Sequence, residues 1–291
     1  MYSSPHISNY SFCRPPWILF ASTSHSCRDH SNRLNLFNYI SGLKFLHILM
    51  GHEYSFTSDY VLSLVFRGVE KTLRHVPVRA QPVTPSILHA MASVVDFDNQ
   101  KDISCLCAGV FMFMLMARAG NVFIRADNGL HVGLKHKHVR CEGDVILVTF
   151  KRTKTIQFGK RVLQIPIVAI PASPICPVTL YRRMVQLTPG SPPSAPLFAV
   201  MDRDLCYPMS KAWFLTRFRV LLGKAGVPNP DAFSCPSFRR GGASWAFRAG
   251  LPGELIQAHG DWASDCYKLY IDITMQSKYM FARNFTNFML A

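Results

Sequence analysis

Residues 236–250, PSFRRGGASWAFRAG, place two adjacent arginines, Arg239 and Arg240, in front of two glycines and an amphipathic run. A guanidinium group is planar, permanently charged and offers five donors, so paired arginines beside a tight turn point to a held anion. A solvated helix start is the plain alternative. Three other positions could join such chemistry: Arg118 at the end of a long apolar run, Lys154 in the turn-like KRTKTIQFGKR, and Tyr270 in DCYKLYI.

The elements that must position these residues can be read from periodicity. Residues 1–33 are rich in Ser, His and Pro without a sustained period and are expected to be irregular. Helices are expected over 34–50 and 60–75, followed by a connection carrying Pro77, Pro82 and Pro85. Thr84 and Pro85 then suit the start of a further helix. The apolar run 103–117 is shorter than the ~20 residues of a membrane span and ends at Arg118, so a buried core helix is expected. Between 130 and 168, LHVGLKHKHVR, DVILVTF and RVLQIPIV are rich in Val, Ile and Leu and predict three antiparallel strands. Helical texture returns at 177–187, 210–227, 240–249 and 252–259. The fold class is α+β, mainly helical, with a small three-stranded antiparallel sheet.

Composition narrows the partner. The chain has 291 residues, a formal net charge of +15 and 49% hydrophobic residues, enough for a sizeable core. Such charge favours a polyanion, either nucleic acid or an acidic membrane surface. Nine cysteines, without CxxC pairs or zinc-like Cys/His spacing, fit a reducing compartment and imply no metal site. The N-terminus lacks the charged region, apolar core and cleavage site of a secretory signal, so secretion is not expected.

Over residues 35–275 the sequence resembles the tyrosine recombinase (phage integrase) family, and in particular the recombinases of Crypton and DIRS-like mobile elements. ARAGNVF is similar to the segment carrying the family's first catalytic arginine, which falls on Arg118. RTKT is similar to the β-hairpin with the catalytic lysine, which falls on Lys154. PSFRR stands at the His-x-x-Arg box and gives Arg239, and YKLYI resembles the nucleophile segment and gives Tyr270. The resemblance implies a partial helical core-binding domain over 34–80 and a catalytic domain over 81–291. It also implies DNA cleavage through a 3′-phosphotyrosyl link, with rejoining that needs no ATP, cofactor or metal. Two arginines would clamp the phosphate oxygens while lysine protonates the departing 5′-oxygen.

Each residue has a competing reading. Arg118 could cap a helix C-terminus, and Lys154 sits with Lys151, Arg152, Lys160 and Arg161, where phosphate contacts alone are a sufficient role. Lys151, Arg152, Lys160 and Arg240 are expected near DNA, although Arg240, unable to share the direction of Arg239 on a helix, also suits packing or backbone contacts. Gly241 and Gly242 would allow close approach to DNA or to another helix. Tyr267 is the rival nucleophile. The family's final His or Trp usually precedes the nucleophile by nine residues, which falls on Asp261; an ionised Asp261 would repel phosphate, so Trp262 is the supporting residue, with His259 as a substitute or a structural hydrogen-bonding group.

Pro236 occupies the place of the family's histidine and has neither a titratable group nor a backbone N–H. A missing general acid–base group costs about 10²- to 10⁴-fold in rate. A catalytically inactive DNA-binding remnant of a mobile-element recombinase is therefore the alternative function, and RNA or membrane-surface binding is a third. Implied partners are double-stranded DNA and further copies of the chain, with no membrane and no small-molecule cofactor. Implied localisation is the nucleus of a eukaryotic cell. Residues 275–291 are expected to dock either into a neighbouring copy or onto the same chain.

Overall fold

The computed structural model describes residues 33–51, 60–73, 79–127, 130–153, 155–156, 161–203 and 205–289. The chain divides into two units, Met1–Arg79 and Ala80–Ala291. In the first unit, two helices form where apolar periodicity predicts them, α1 (Arg33–Leu49) and α2 (Tyr60–Leu73).

The second unit begins with α3 (Pro85–Ala92). Thr84 Oγ1 accepts from Ile87 N at 3.3 Å, and Pro85 sits in the first turn, where its missing N–H leaves nothing unpaired. The apolar run becomes α4 (Gln100–Met114), capped by Asn99 and buried along most of its length. Among the described residues no helix is long and apolar enough to cross a membrane. Arg118 immediately precedes the short α5 (Ala119–Val122).

The three-stranded antiparallel sheet is present as β3 (Val139–Glu142), β4 (Val145–Phe150) and β5 (Leu163–Val168), with β4 in the centre. Alternation sets its register: Ile146, Val148, Phe150, Ile165 and Ile167 all face the core. The first expected strand, over 130–140, is divided. Its start forms β2 (Leu130–Val132), which pairs with β1 (Arg125–Asp127), and a 3₁₀ turn at His136–His138 separates it from β3. Helix α6 (Pro177–Gln186) follows as expected.

A hairpin that periodicity does not predict, β6 (Ala199–Asp202) with β7 (Leu205–Pro208), is held by a side chain from far along the sequence. Gln100 donates Nε2 to Ala199 O and accepts from Met201 N, both at 2.9 Å. Next come α7 (Lys211–Lys224), α8 (Cys235–Arg248), α9 (Gly253–His259), a 3₁₀ turn at Asp265–Leu269 and α10 (Met275–Met289). Helix α8 starts five residues before the expected 240. Pro236 fits its first turn instead of breaking it, and Ser234 N donates to Ser237 Oγ at 2.9 Å to fix the start.

An aromatic cluster orients α8. Phe238 is fully buried, with its ring 4.8 Å from Phe218 and 5.5 Å from Phe214 of α7. The two glycines bring α8 against protein backbone rather than serving DNA. A Cβ at Gly241 would overlap the Val83 carbonyl oxygen, and one at Gly242 the Phe113 carbonyl oxygen. Gly241→Ala is accordingly expected to cost about 2–3 kcal/mol and to lower the unfolding midpoint by roughly 5–10 °C in calorimetry. Gly143→Asn, at a left-handed turn with open space around it, should shift the midpoint by no more than about 2 °C.

Candidate functional site

Because Phe238 is committed to the aromatic core, the next residue on α8 points elsewhere. Arg239 turns toward a smaller core of Met116, Ala243, Ala246, Ile256, Trp262 and Tyr267. It is only 3% exposed. Its Nη1 donates to Met116 O, while Nε and Nη2 are buried without an acceptor among the described residues. Its guanidinium carbon lies 3.7 Å from the centroid of the Trp262 ring and 5.4 Å from that of Tyr270.

Burial first, and then the nearby charge of Arg118, pull the Arg239 pKa down to about 10, against weaker opposing effects of Tyr270, Asp261 and Cys266. Helix α4 ends at Met114, so Arg118 does not cap its C-terminus; it sits in extended conformation at the start of α5. Its Nη1 is likewise buried without an acceptor.

Trp262 supplies both a ring and a donor. It is 4% exposed, and its indole Nε1 also lacks an acceptor. The turn after α9 places it: Asp261 adopts a left-handed φ of 56°, and a Cβ at Gly260 would collide with the Trp262 ring. His259 donates Nε2 to Met114 O at 2.8 Å, the structural hydrogen bond that competed with a catalytic role.

The two tyrosines occupy different surroundings. Tyr267 is 7% exposed and packs in the small core, its ring 6.3 Å from Trp262. Tyr270, just past the 3₁₀ turn, is half-buried, with its ring 5.4 Å from Trp262. Ser244 of α8 holds this segment by donating Oγ to Tyr270 O at 3.3 Å and accepting from Asp272 N at 2.8 Å.

Arg239, Trp262 and Tyr270 are thus brought together, and Arg118 is near enough for its charge to act on Arg239. Lys154 and Lys160 lie outside the described residues. Lys151 and Arg152 are exposed beyond the end of β4. Arg240 is occupied by protein, donating Nη1 to Ala80 O at 3.1 Å and lying 3.7 Å from the Asp272 carboxylate.

The partners of Asp261 are what sequence reasoning missed. It is 5% exposed and accepts hydrogen bonds from Thr153 Oγ1 at 2.6 Å, from Thr155 Oγ1 and from Arg161 Nη2. Burial raises its pKa, but the two threonine hydroxyls and Arg161 outweigh burial and hold it below the ordinary carboxylate value. These partners are about a hundred positions away, and no local pattern announces them. Among the described residues, no group of three or more His, Cys, Asp or Glu side chains could hold a metal ion.

No protein-family model matches the chain, and no curated protein does. Among solved structures, XerA recombinase is similar, with a TM-score of 0.51 and 16% identity over 92% of this chain and 88% of that one. XerH recombinase bound to a palindromic difH substrate gives a TM-score of 0.49 and 11% identity over 66% of this chain, which spans 49% of the XerH chain. FLP recombinase in a Holliday-junction complex gives 0.41 and 14%, over 91% of this chain and 53% of that one. These neighbours are tyrosine recombinases, and the XerA likeness shows that the chain has their mainly helical fold with small antiparallel sheets.

The unpaired donors make a direct prediction about anions. Inorganic phosphate at ten times its dissociation constant should stabilise the protein by about 1.4 kcal/mol, a rise of roughly 3–5 °C in unfolding midpoint. Arg239→Met should abolish the rise. Trp262→Phe, which keeps a ring beneath the guanidinium but removes the indole donor, should weaken phosphate affinity about tenfold.

Proposed function

We propose that this protein cleaves and rejoins DNA strands by site-specific recombination, with Tyr270 as nucleophile. The observation that carries the proposal is that Arg239 Nε and Nη2 and Trp262 Nε1, all buried and without acceptors among the described residues, lie beside the half-buried Tyr270, with the charge of Arg118, whose Nη1 is in the same condition, acting on Arg239. An unsatisfied buried donor costs about 1–3 kcal/mol. A phosphodiester with two non-bridging oxygens would satisfy several donors at once, and developing charge in the transition state would strengthen every one of those bonds.

Tyr270 Oη would attack phosphorus, releasing its phenolic proton to solvent, as the bond to the 5′-oxygen breaks, forming a 3′-phosphotyrosyl ester. Lys154 would give the leaving oxygen its proton. Because the ester conserves the bond energy, a 5′-hydroxyl can reverse the step and rejoin strands. The +15 charge supports a DNA partner.

The finer assignments belong to the same proposal: a Crypton- or DIRS-like mobile element, a nuclear location, a partial core-binding domain over 34–80 and action as a homo-oligomer on DNA. Helix α10 leaves Met275, Tyr279 and Met280 exposed, which supports docking into a neighbouring copy.

One observation favours the second reading, an inactive DNA-binding remnant. Pro236 lies in the first turn of α8, one turn before Arg239, and carries no proton to transfer. A nicked duplex that traps the covalent intermediate separates the two. For an active enzyme, wild-type protein should form a protein–DNA adduct that Tyr270→Phe abolishes and Tyr267→Phe preserves. Pro236→His should accelerate adduct formation, by up to about 10²- to 10⁴-fold if it restores a general acid–base group. Salt-sensitive binding without any adduct, in wild type and Pro236→His alike, would identify the remnant.

A further inference from the structure

We infer that Asp261 is a positioning residue, an acidic clasp that ties the two described arms of the loop between β4 and β5 to the turn that carries Trp262. The clasp joins both arms of that loop. Thr153 and Thr155 reach Asp261 from the β4 side, and Arg161 reaches it from the β5 side. The β4 arm is itself closed. Thr153 N donates to Ile156 O at 3.1 Å, Ile156 N donates to Thr153 Oγ1 at 3.0 Å, and Thr155 N donates to the same hydroxyl at 3.2 Å. The Ile156 side chain is 1% exposed, so this short segment is anchored in apolar surroundings as well as hydrogen-bonded.

Position 154 lies between the two threonines in the sequence. Both of its flanking side chains end on one carboxylate, which is adjacent in sequence to Trp262. The clasp therefore fixes the two residues that flank position 154 relative to the turn that carries Trp262. It also removes the objection that an ionised Asp261 would repel phosphate. Its oxygens are engaged by two hydroxyls and a guanidinium, and Arg161 balances its charge. In this arrangement the carboxylate orders a loop and transfers no proton. The role of the clasp in chemistry rests on the proposed recombinase function, whereas the clasp itself does not.

Two measurements on the full chain separate these levels. Hydrogen–deuterium exchange of a peptide spanning 149–158 reads the clasp without any DNA. Asp261→Ala should speed exchange in this peptide by roughly tenfold or more, while peptides of α4 and α7 stay unchanged. Thr155→Val, which leaves the carboxylate and Arg161 in place, should speed it less. Combining it with Asp261→Ala should add nothing further, because both remove the same bond. Loop exchange at the wild-type rate in Asp261→Ala, or fully additive effects of the two changes, would overturn the clasp. If Asp261→Ala fails to fold, Thr155→Val alone decides by the same readout.

The second measurement is adduct formation on the nicked duplex. Asp261→Ala should slow it by about 10²-fold, the scale of a displaced catalytic group. Asp261→Asn, which keeps an acceptor for the threonines, should recover part of that rate without altering DNA affinity. A loosened loop with an unchanged adduct rate would overturn the positioning role. Absence of any adduct in wild type, alongside a loop that loosens as expected, would sink the recombinase reading and leave a structural clasp.

Discussion

A guanidinium removed from water is the constraint around which this structure is organised. Arg239 is 3% exposed and has one backbone acceptor, Met116 O, with two of its nitrogens left without partners among the described residues. Moving a charge into such surroundings costs several kcal/mol even after relaxation. Stacking on Trp262 offsets part of this, since a desolvated cation over an indole gains about 2 kcal/mol or more. The neighbouring Arg118 works in the opposite direction and helps pull the Arg239 pKa down to about 10. A group whose folded pKa lies below its unfolded value binds its proton less firmly in the folded state. Arg239 therefore detracts from stability at neutral pH and ceases to do so only as pH rises through 10 and above. An opposite charge placed near both arginines would offset their mutual repulsion.

Holding that unfavourable arrangement requires a stiff frame. The frame consists of contacts made by the immediate neighbours of Arg239 in sequence. Phe238 is locked among Phe214 and Phe218, and Gly241 and Gly242 allow α8 to touch the backbones at Val83 and Phe113. Helix α4, which ends two residues before Met116, is tied to α7 by a buried pair in which Arg217 Nε donates to Asp102 at 2.8 Å. The carbonyl that receives Arg239 is therefore fixed from one side, and the helix that presents Arg239 from the other. Side chains delivered by rigid helices keep their directions better than those on free loops.

Features governed by local patterns were legible in the sequence, and features governed by distant partners were not. The buried α4 and the β4–β5 pairing follow from apolar runs and Val/Ile alternation. The β6–β7 hairpin was hidden because a glutamine a hundred residues earlier supplies hydrogen bonds to its first strand. The start of α8 was misplaced because proline reads equally as a breaker and as a first-turn residue, and the serine pair that decides between them is a weak signal. Arg239, Trp262 and Tyr270 stand together as the sequence reading grouped them, because their residue types single them out. The relation of Asp261 to Thr153, Thr155 and Arg161 has no such announcement, since threonines beside a lysine and an aspartate after a glycine are each unremarkable alone.

The charge of Asp261 is largely met by its own partners rather than by Arg239. An isolated carboxylate near Arg239 would cancel much of the field that the two arginines create, since unit charges 4 Å apart interact by about 4 kcal/mol at an effective dielectric constant of 20. Here Arg161 meets one carboxylate oxygen and the threonine hydroxyls meet the other, so that the lone pairs are spent on the loop. The clasp as a whole carries no net charge, because the guanidinium and the carboxylate balance. What remains unbalanced is the charge of Arg239, reinforced by that of Arg118, and the Arg239 guanidinium stands beside the Tyr270 ring. The same acidic side chain thus spends its charge on Arg161 and its lone pairs on the two threonines, and an anion that met the arginines, as the proposed function requires, would face their charge more than its own.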